Sequence, residues 1–278
     1  MTFMTPGQVV WFEIGIDAAD PVQKFYSELL GWTYELDPDS SIDGRRYIRI
    51  IAPGAPFPMG AISEAPGAPA RINLSILSTD VRADVDRLAK LGAAVEIPAT
   101  QVADVTWFAV LTDPRGNPFS LFSRSESERF EERMRKGEKA IEEAKYQPTP
   151  GSMGWFELGT TDAATTQDFY TRAFGWKFVL DDGANATRYH IFTGDDRPSG
   201  GMYDQGPDGV DYLMPSFLVD DVPAATAIAA ELGGGIELAP DAAPDGLVFS
   251  RIRDPRGLRF GLWSLPKAAT SGPRRHSS

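Results

Sequence analysis

Cysteine is absent from this chain, which excludes disulfides, thiolate-held metal centres and a cysteine nucleophile. Histidine is almost absent: the 278 residues include only His190 and His276. Basic charge is outnumbered, with 27 Lys and Arg against 39 Asp and Glu, giving a formal net charge of −12 and a pI of about 4.7. Phosphate backbones and anionic lipid require basic surface, so neither nucleic acid nor membrane is expected as a partner. No apolar run approaches the roughly 20 residues of a membrane-spanning helix. The opening "MTFMTPGQVV" has no basic region followed by an apolar run, so no secretory signal is visible, and a soluble cytoplasmic protein is expected. Hydrophobic residues at 42% and charged residues at 24% suit a globular chain with room for two domains, each able to bury its own core.

What the sequence does contain, it contains twice. "GQVVWFEIGIDAADPVQKFYSELLGW" opens the first half and "GSMGWFELGTTDAATTQDFYTRAFGW" the second. Trp11, Phe12, Glu13, Phe25, Tyr26, Gly31 and Trp32 return as Trp155, Phe156, Glu157, Phe169, Tyr170, Gly175 and Trp176, each 144 positions later (155 minus 11). The halves also close alike, on "TDPRGNPFSLFS" and "RDPRGLRFGLWS". A period this long marks a duplicated domain, not a solenoid.

Each half has a rhythm of its own. The strand-like "VVWFEIGI" leads to a helix with Asp20 as its expected cap and Pro21 at its first position. That helix buries Val22, Phe25, Tyr26, Leu29 and Leu30 and stops at Gly31. "RRYIRII" and "INLSIL" read as strands, a second helix runs from near Asp80 to Gly92, and "WFAVL", the turn "DPRGN" and "FSLF" finish the half. The second half repeats this β-α-β-β-β, β-α-β-β-β order, an α+β pattern with helices on one sheet face. Domains are expected over 6–124 and 150–266. A charged linking helix over 125–149 joins them, with Ser125 and Glu128 at capping-box spacing, and a disordered tail fills 267–278. Tyr26 and Tyr170 read as core residues, and the "DPRG" motifs as turns without chemistry.

The pairs "DPVQKFYSELLGW"/"DAATTQDFYTRAFGW" and "DPRGNPFSL"/"DPRGLRFGL" resemble the vicinal oxygen chelate superfamily, the glyoxalase, bleomycin-resistance and dioxygenase group. The resemblance covers almost the whole chain except the linking helix and tail. It implies two tandem glyoxalase-like domains, each a pair of βαβββ modules forming a cup-shaped mixed sheet whose concave face holds the ligand. It also implies divalent-metal chemistry held by His, Glu or Gln. The implied ligand positions fall on Trp11, Asn73 and Ser120 in the first cup and on Trp155, Met214 and Gly261 in the second. Indole, thioether and glycine are not ligands for a first-row divalent ion. The expectation is therefore no metal and no cofactor.

Strand alternation extends the reading. If Trp11 faces inward, so do Glu13 and Gly15, while Phe12, Ile14 and Ile16 back onto the helices. Trp155 and Glu157 follow suit, as do Ser120 with Phe122 and Gly261 with Trp263. Each cup then offers an aromatic wall and one carboxylate, the make-up of a small-molecule pocket. Glu13 and Glu157 read either as acid/base or anchoring groups, with pKa values raised beside Trp, or as buried structural carboxylates. His190 aligns with Ile48 and is a structural residue or a base special to the second cup. Arg251 and Arg253 align with Val110 and Thr112; one is expected to pair with an acid, and Arg251 is also a candidate for a ligand anion.

Three functions compete: a metal-independent binding protein of the bleomycin-resistance type, sequestering or carrying an aromatic or antibiotic-like ligand; a metal-independent hydroxylase-, lyase- or isomerase-like enzyme of secondary metabolism using Glu13, Glu157 or His190; and an interaction scaffold. The first is favoured. The expected partner is a small hydrophobic or aromatic molecule, and a homodimer is an assembly the sequence leaves open.

Overall fold

Sixteen strands and four helices lie within the described residues of the computed structural model, which are 5–38, 44–102, 106–123, 148–181, 187–243 and 246–265. The linking helix expected over 125–149 falls almost wholly outside them, as does the tail expected from 267.

The first half runs β1 (Val9–Ile16), α1 (Ala19–Leu30), β2 (Thr33–Leu36), β3 (Arg46–Ile51), β4 (Gly60–Glu64), β5 (Arg71–Ser78), α2 (Val81–Lys90), β6 (Ala94–Val102), β7 (Thr106–Thr112) and β8 (Pro118–Ser123). The second runs β9 (Met153–Thr160), α3 (Ala163–Phe174), β10 (Lys177–Leu180), β11 (Arg188–Phe192), β12 (Gly200–Asp204), β13 (Tyr212–Leu218), α4 (Val222–Glu231), β14 (Gly235–Ala242), β15 (Val248–Arg253) and β16 (Arg259–Ser264). Each half forms one eight-stranded mixed sheet, in the orders β2-β3-β4-β1-β5-β8-β7-β6 and β10-β11-β12-β9-β13-β16-β15-β14. The two modules of a half meet where the first strand of one pairs antiparallel with the first strand of the other. The short strands β2 and β10 are edge strands, too brief to show a period of their own in the sequence.

The helices follow local rules. Asp80, Asp162 and Asp221 cap α2, α3 and α4, each accepting from a backbone N–H three residues on. Gly31 ends α1 in the left-handed region at φ 70°, a conformation glycine adopts without a Cβ penalty. The cap expected for α1 is corrected. The N-cap is Ala18, Asp20 sits in the first turn, and the Glu64 carboxylate from β4 accepts from the Ala19 N–H at 2.9 Å. A side chain distant in sequence does the work assigned to Asp20.

Separate cores for the halves, expected from length, are replaced by one continuous core. Phe12 of β1 meets Phe217 of β13 at 5.3 Å between ring centroids, and Phe25 and Tyr26 of α1 pack on Phe260 of β16. In the reciprocal arrangement Phe169 and Phe174 of α3 pack on Phe119 of β8. The first helix of each half thus covers the second module of the other. Trp32 stacks on Tyr26 and donates its indole N–H to the Gly151 carbonyl at 2.8 Å; Trp176 stacks on Tyr170 and donates to the Gly7 carbonyl at 2.7 Å.

The "DPRG" turns join this exchange. Asp113 closes its own turn by accepting from the Arg115 and Asn117 N–H groups, and it also accepts the Tyr170 hydroxyl of the other half at 3.0 Å. Asp254 does the same with Arg256, Leu258 and, at 3.3 Å, Tyr26. Burial pushes both carboxyls above their ordinary value and both tyrosines well above theirs. Tyr26 and Tyr170 are core residues as expected, and they are also polar fasteners between the halves.

Candidate functional site

Side-chain alternation divides each sheet cleanly. Phe12, Ile14 and Ile16 are fully buried against the shared core, as are Phe119 and Leu121 on β8. The opposite face carries the expected site residues. Register sets them in rows: Trp11, Ser75, Ser120 and Val110 across the first sheet, with Glu13 opposite Asn73 in the next row. The corresponding rows of the second sheet are Trp155, Ser216, Gly261 and Arg251, then His190, Gly201, Glu157 and Met214. Trp11, Glu13, Asn73, Ser120 and Phe122 therefore share one concave face, and Trp155, Glu157, His190, Met214, Gly261, Trp263 and Arg251 share the other.

In the first cup Asn73, Ser75, Val110 and Ser120 form a buried floor, and Trp11, Glu13, Phe108 and Phe122 remain half-buried on the same face. Tyr47 of β3 hydrogen-bonds both the Glu13 carboxylate and the Trp11 indole, so these three side chains hold one another in place. Burial raises the Glu13 pKa above its ordinary 4.5, with Arg71 and then Arg45 opposing the rise. Arg71 reaches Glu96 at 3.0 Å, a partly exposed pair that contributes little to stability. Asn73 is 3% exposed, yet its side-chain Oδ1 has no hydrogen-bond partner.

The second cup differs. Glu157 is 5% exposed and accepts from the Arg251 guanidinium at 2.5 Å and from the Tyr212 hydroxyl. Arg251 lies over the Tyr203 ring at 4.5 Å and Arg259 over Tyr212 at the same distance. Gly159 makes room for this. A Cβ there would stand 2.1 Å from Tyr212 Cε1, so only glycine lets the tyrosine cross the strand toward Glu157. Burial raises the Glu157 pKa while Arg251 and Tyr212 pull it back, and Tyr212 itself is pushed far up. The two carboxylates thus have different surroundings: Glu13 is partly buried and bonded by Tyr47, whereas Glu157 is buried, paired with Arg251 and bonded by Tyr212. Arg253, the second arginine of the motif, pairs with Glu237 at 2.5 Å.

His190 stands 6.4 Å from the Trp155 ring, with its Nδ1 buried and unpartnered, and Trp263 Nε1 is likewise buried without a partner. The expected alignment of His190 with Ile48 is off by one. His190 pairs with Gly201, beside the Gly200 that faces Phe156; in the first sheet the residue so placed is Arg49, which pairs with Ala61 beside Gly60 and Phe12. Arg49 is held by Asp37 at 2.5 Å. The Tyr47–Glu13 contact and the Arg49–Asp37 pair left no periodic signal in the sequence.

Among the described residues no three His, Cys, Asp or Glu side chains gather to hold a metal ion. At the implied ligand positions the second cup carries Trp155, Met214 and Gly261, which offer no good ligand for a hard divalent cation, while the first carries Trp11 with the oxygen-bearing Asn73 and Ser120. Two open depressions in the second half, one bordered by Lys177 and Phe192 and the other by Gln167 and Tyr189, share no lining residue with either cup. No helix among the described residues is long and apolar enough to cross a membrane.

Comparison with known proteins agrees with this architecture. The family model described as "Glyoxalase-like domain" matches residues 13–122, and that of the "Glyoxalase/Bleomycin resistance protein/Dioxygenase superfamily" matches residues 152–262. The chain is 28% identical over 282 residues to the anthracycline biosynthesis protein DauV of Streptomyces sp. (strain C5), covering 96% of this chain and 97% of that one. Its fold is similar to the 2,3-dioxygenase LapB from Pseudomonas sp. KL28, with a TM-score of 0.58, 17% identity and coverage of 94% and 92% of the two chains. It is also similar to the Mn(II)-bound glyoxalase from Novosphingobium aromaticivorans, with a TM-score of 0.57, 17% identity and coverage of 93% and 82%.

Proposed function

We propose that this chain, which belongs to the glyoxalase/bleomycin resistance protein/dioxygenase superfamily as two such domains in tandem, is a metal-independent protein that binds a flat aromatic small molecule in its first cup. The observation that carries the reading is the contrast between the two carboxylates. Glu13 is only partly buried beside Trp11 and is bonded by Tyr47, whereas Glu157 is buried and held by both Arg251 and Tyr212. An indole next to a carboxyl, over a floor of small side chains, supplies a stacking surface with polar groups to orient the ligand. The similarity to an anthracycline biosynthesis protein of Streptomyces supports a polycyclic aromatic as the ligand class and secondary metabolism as the setting.

Tryptophan fluorescence titrated with 2-hydroxyanthraquinone tests the proposal. Saturable quenching is expected, with most of it lost in Trp11→Phe and most retained in Trp155→Phe. A flat titration of the wild-type protein removes the reading.

A second reading makes the same cup an enzyme, and the raised pKa of Glu13 favours it. A carboxyl moved toward neutrality is a better general acid or base than one at its ordinary value. Conversion of the bound aromatic that vanishes in Glu13→Gln, with binding intact, supports the enzyme; conversion unaffected by that change rules Glu13 out as its acid or base.

A further inference from the structure

Nearly all buried polar side-chain atoms in folded proteins find a partner, and each exception calls for an explanation. Asn73 is such an exception. It lies on the concave face of β5, directly opposite Glu13 in the antiparallel pair with β1, and is 3% exposed with its Oδ1 unbonded. Cross-strand partners hold their Cβ atoms about 5 Å apart, so the amide and the carboxyl address the same small volume beside Trp11. Glu13 already accepts from Tyr47. This edge of the cup is rich in acceptors.

We propose that Asn73 selects ligands carrying a hydroxyl on the aromatic ring, the hydroxyl donating to the Asn73 side-chain carbonyl while the ring lies against Trp11. This rests on the aromatic-ligand reading and adds the substituent that the ligand must carry. A ring carbonyl or ether oxygen in the same place sets lone pair against lone pair and leaves Oδ1 unsatisfied. The second cup cannot make the same selection, because the residue opposite Glu157 is Met214, whose thioether is a weak acceptor.

The test compares 2-hydroxyanthraquinone, 2-methoxyanthraquinone and unsubstituted anthraquinone by fluorescence titration, at a pH where the phenol keeps its proton. For the wild-type protein the hydroxylated compound is expected to bind about tenfold tighter than the other two, as fits a buried acceptor that only a donor satisfies. In Asn73→Met, which installs the side chain the second sheet already holds at that place, the three affinities are expected to converge within about twofold, while the thermal midpoint confirms that the variant is folded. Equal affinities in the wild type overturn the inference and leave the aromatic-ligand reading standing, and this comparison decides even where the variant does not fold. A preference that survives in folded Asn73→Met also overturns it. Silence toward all three compounds removes the reading and the inference together.

Discussion

Glu13 and Glu157 occupy the same place in two copies of one sheet and do different things. Sequence placed both on the inner face correctly, because period-two alternation around Trp11 and Trp155 fixes the side of the sheet. What surrounds each carboxylate came from partners the alternation does not reveal: Tyr47 and Arg71 for one, Tyr212 and Arg251 for the other. The consequence is measurable for Glu13. A carboxyl whose pKa rises on folding favours the folded state when protonated. That contribution is whole below the unfolded value near 4.5 and is lost as pH climbs through the raised folded value. Glu13→Gln should therefore raise the thermal midpoint by a few degrees at pH 7 and leave it nearly unchanged at pH 4, read by calorimetry at both. A variant less stable than wild type at pH 7 would show that Arg71 and Tyr47 outweigh burial.

The aspartates that start the two closing turns pin elements as well as bending the chain. Asp113 accepts four hydrogen bonds, from the Arg115 and Asn117 N–H groups, the Asn117 side-chain amide and the Tyr170 hydroxyl. "DPRG" is legible as a turn because Asp, Pro and Gly have fixed places in one; its bond to a helix in the other half is a long-range fact without local trace. Tyr170→Phe removes one buried bond and should cost about 1 kcal/mol. Asp113→Ala strands several donors at once and should cost about 3 kcal/mol or more. Urea unfolding of both variants checks the order. Equal losses would mean that Asp113 serves only through Tyr170. The helices show the same division. Asp80, Asp162 and Asp221 are caps readable from the residues beside them, whereas α1 is capped by Glu64, 45 positions from the N–H it bonds.

At the scale of the molecule, duplication was plain in the sequence and mutual dependence was not. Two βαβββ modules per half follow from motif order, but the α1 face of Phe25 and Tyr26 is covered by Phe217 and Phe260 of the second half. A half alone exposes that face together with Phe12, a large apolar patch. Fragments 1–147 and 148–278 should each be aggregated or poorly ordered alone and regain sharp near-ultraviolet circular dichroism when mixed; a cooperative melt of either alone contradicts the shared core. The same scale bears on the proposal of a single working cup. Duplication frees one copy to drift, and the second cup packs Arg251, Tyr212 and Tyr203 around a buried Glu157, while Glu13 of the first is only partly buried. Isothermal titration of the intact chain with 2-hydroxyanthraquinone tests this most directly. One site per chain, lost in Trp11→Phe and kept in Trp155→Phe, is the result the account predicts; two sites, or one that depends on Trp155, would contradict it.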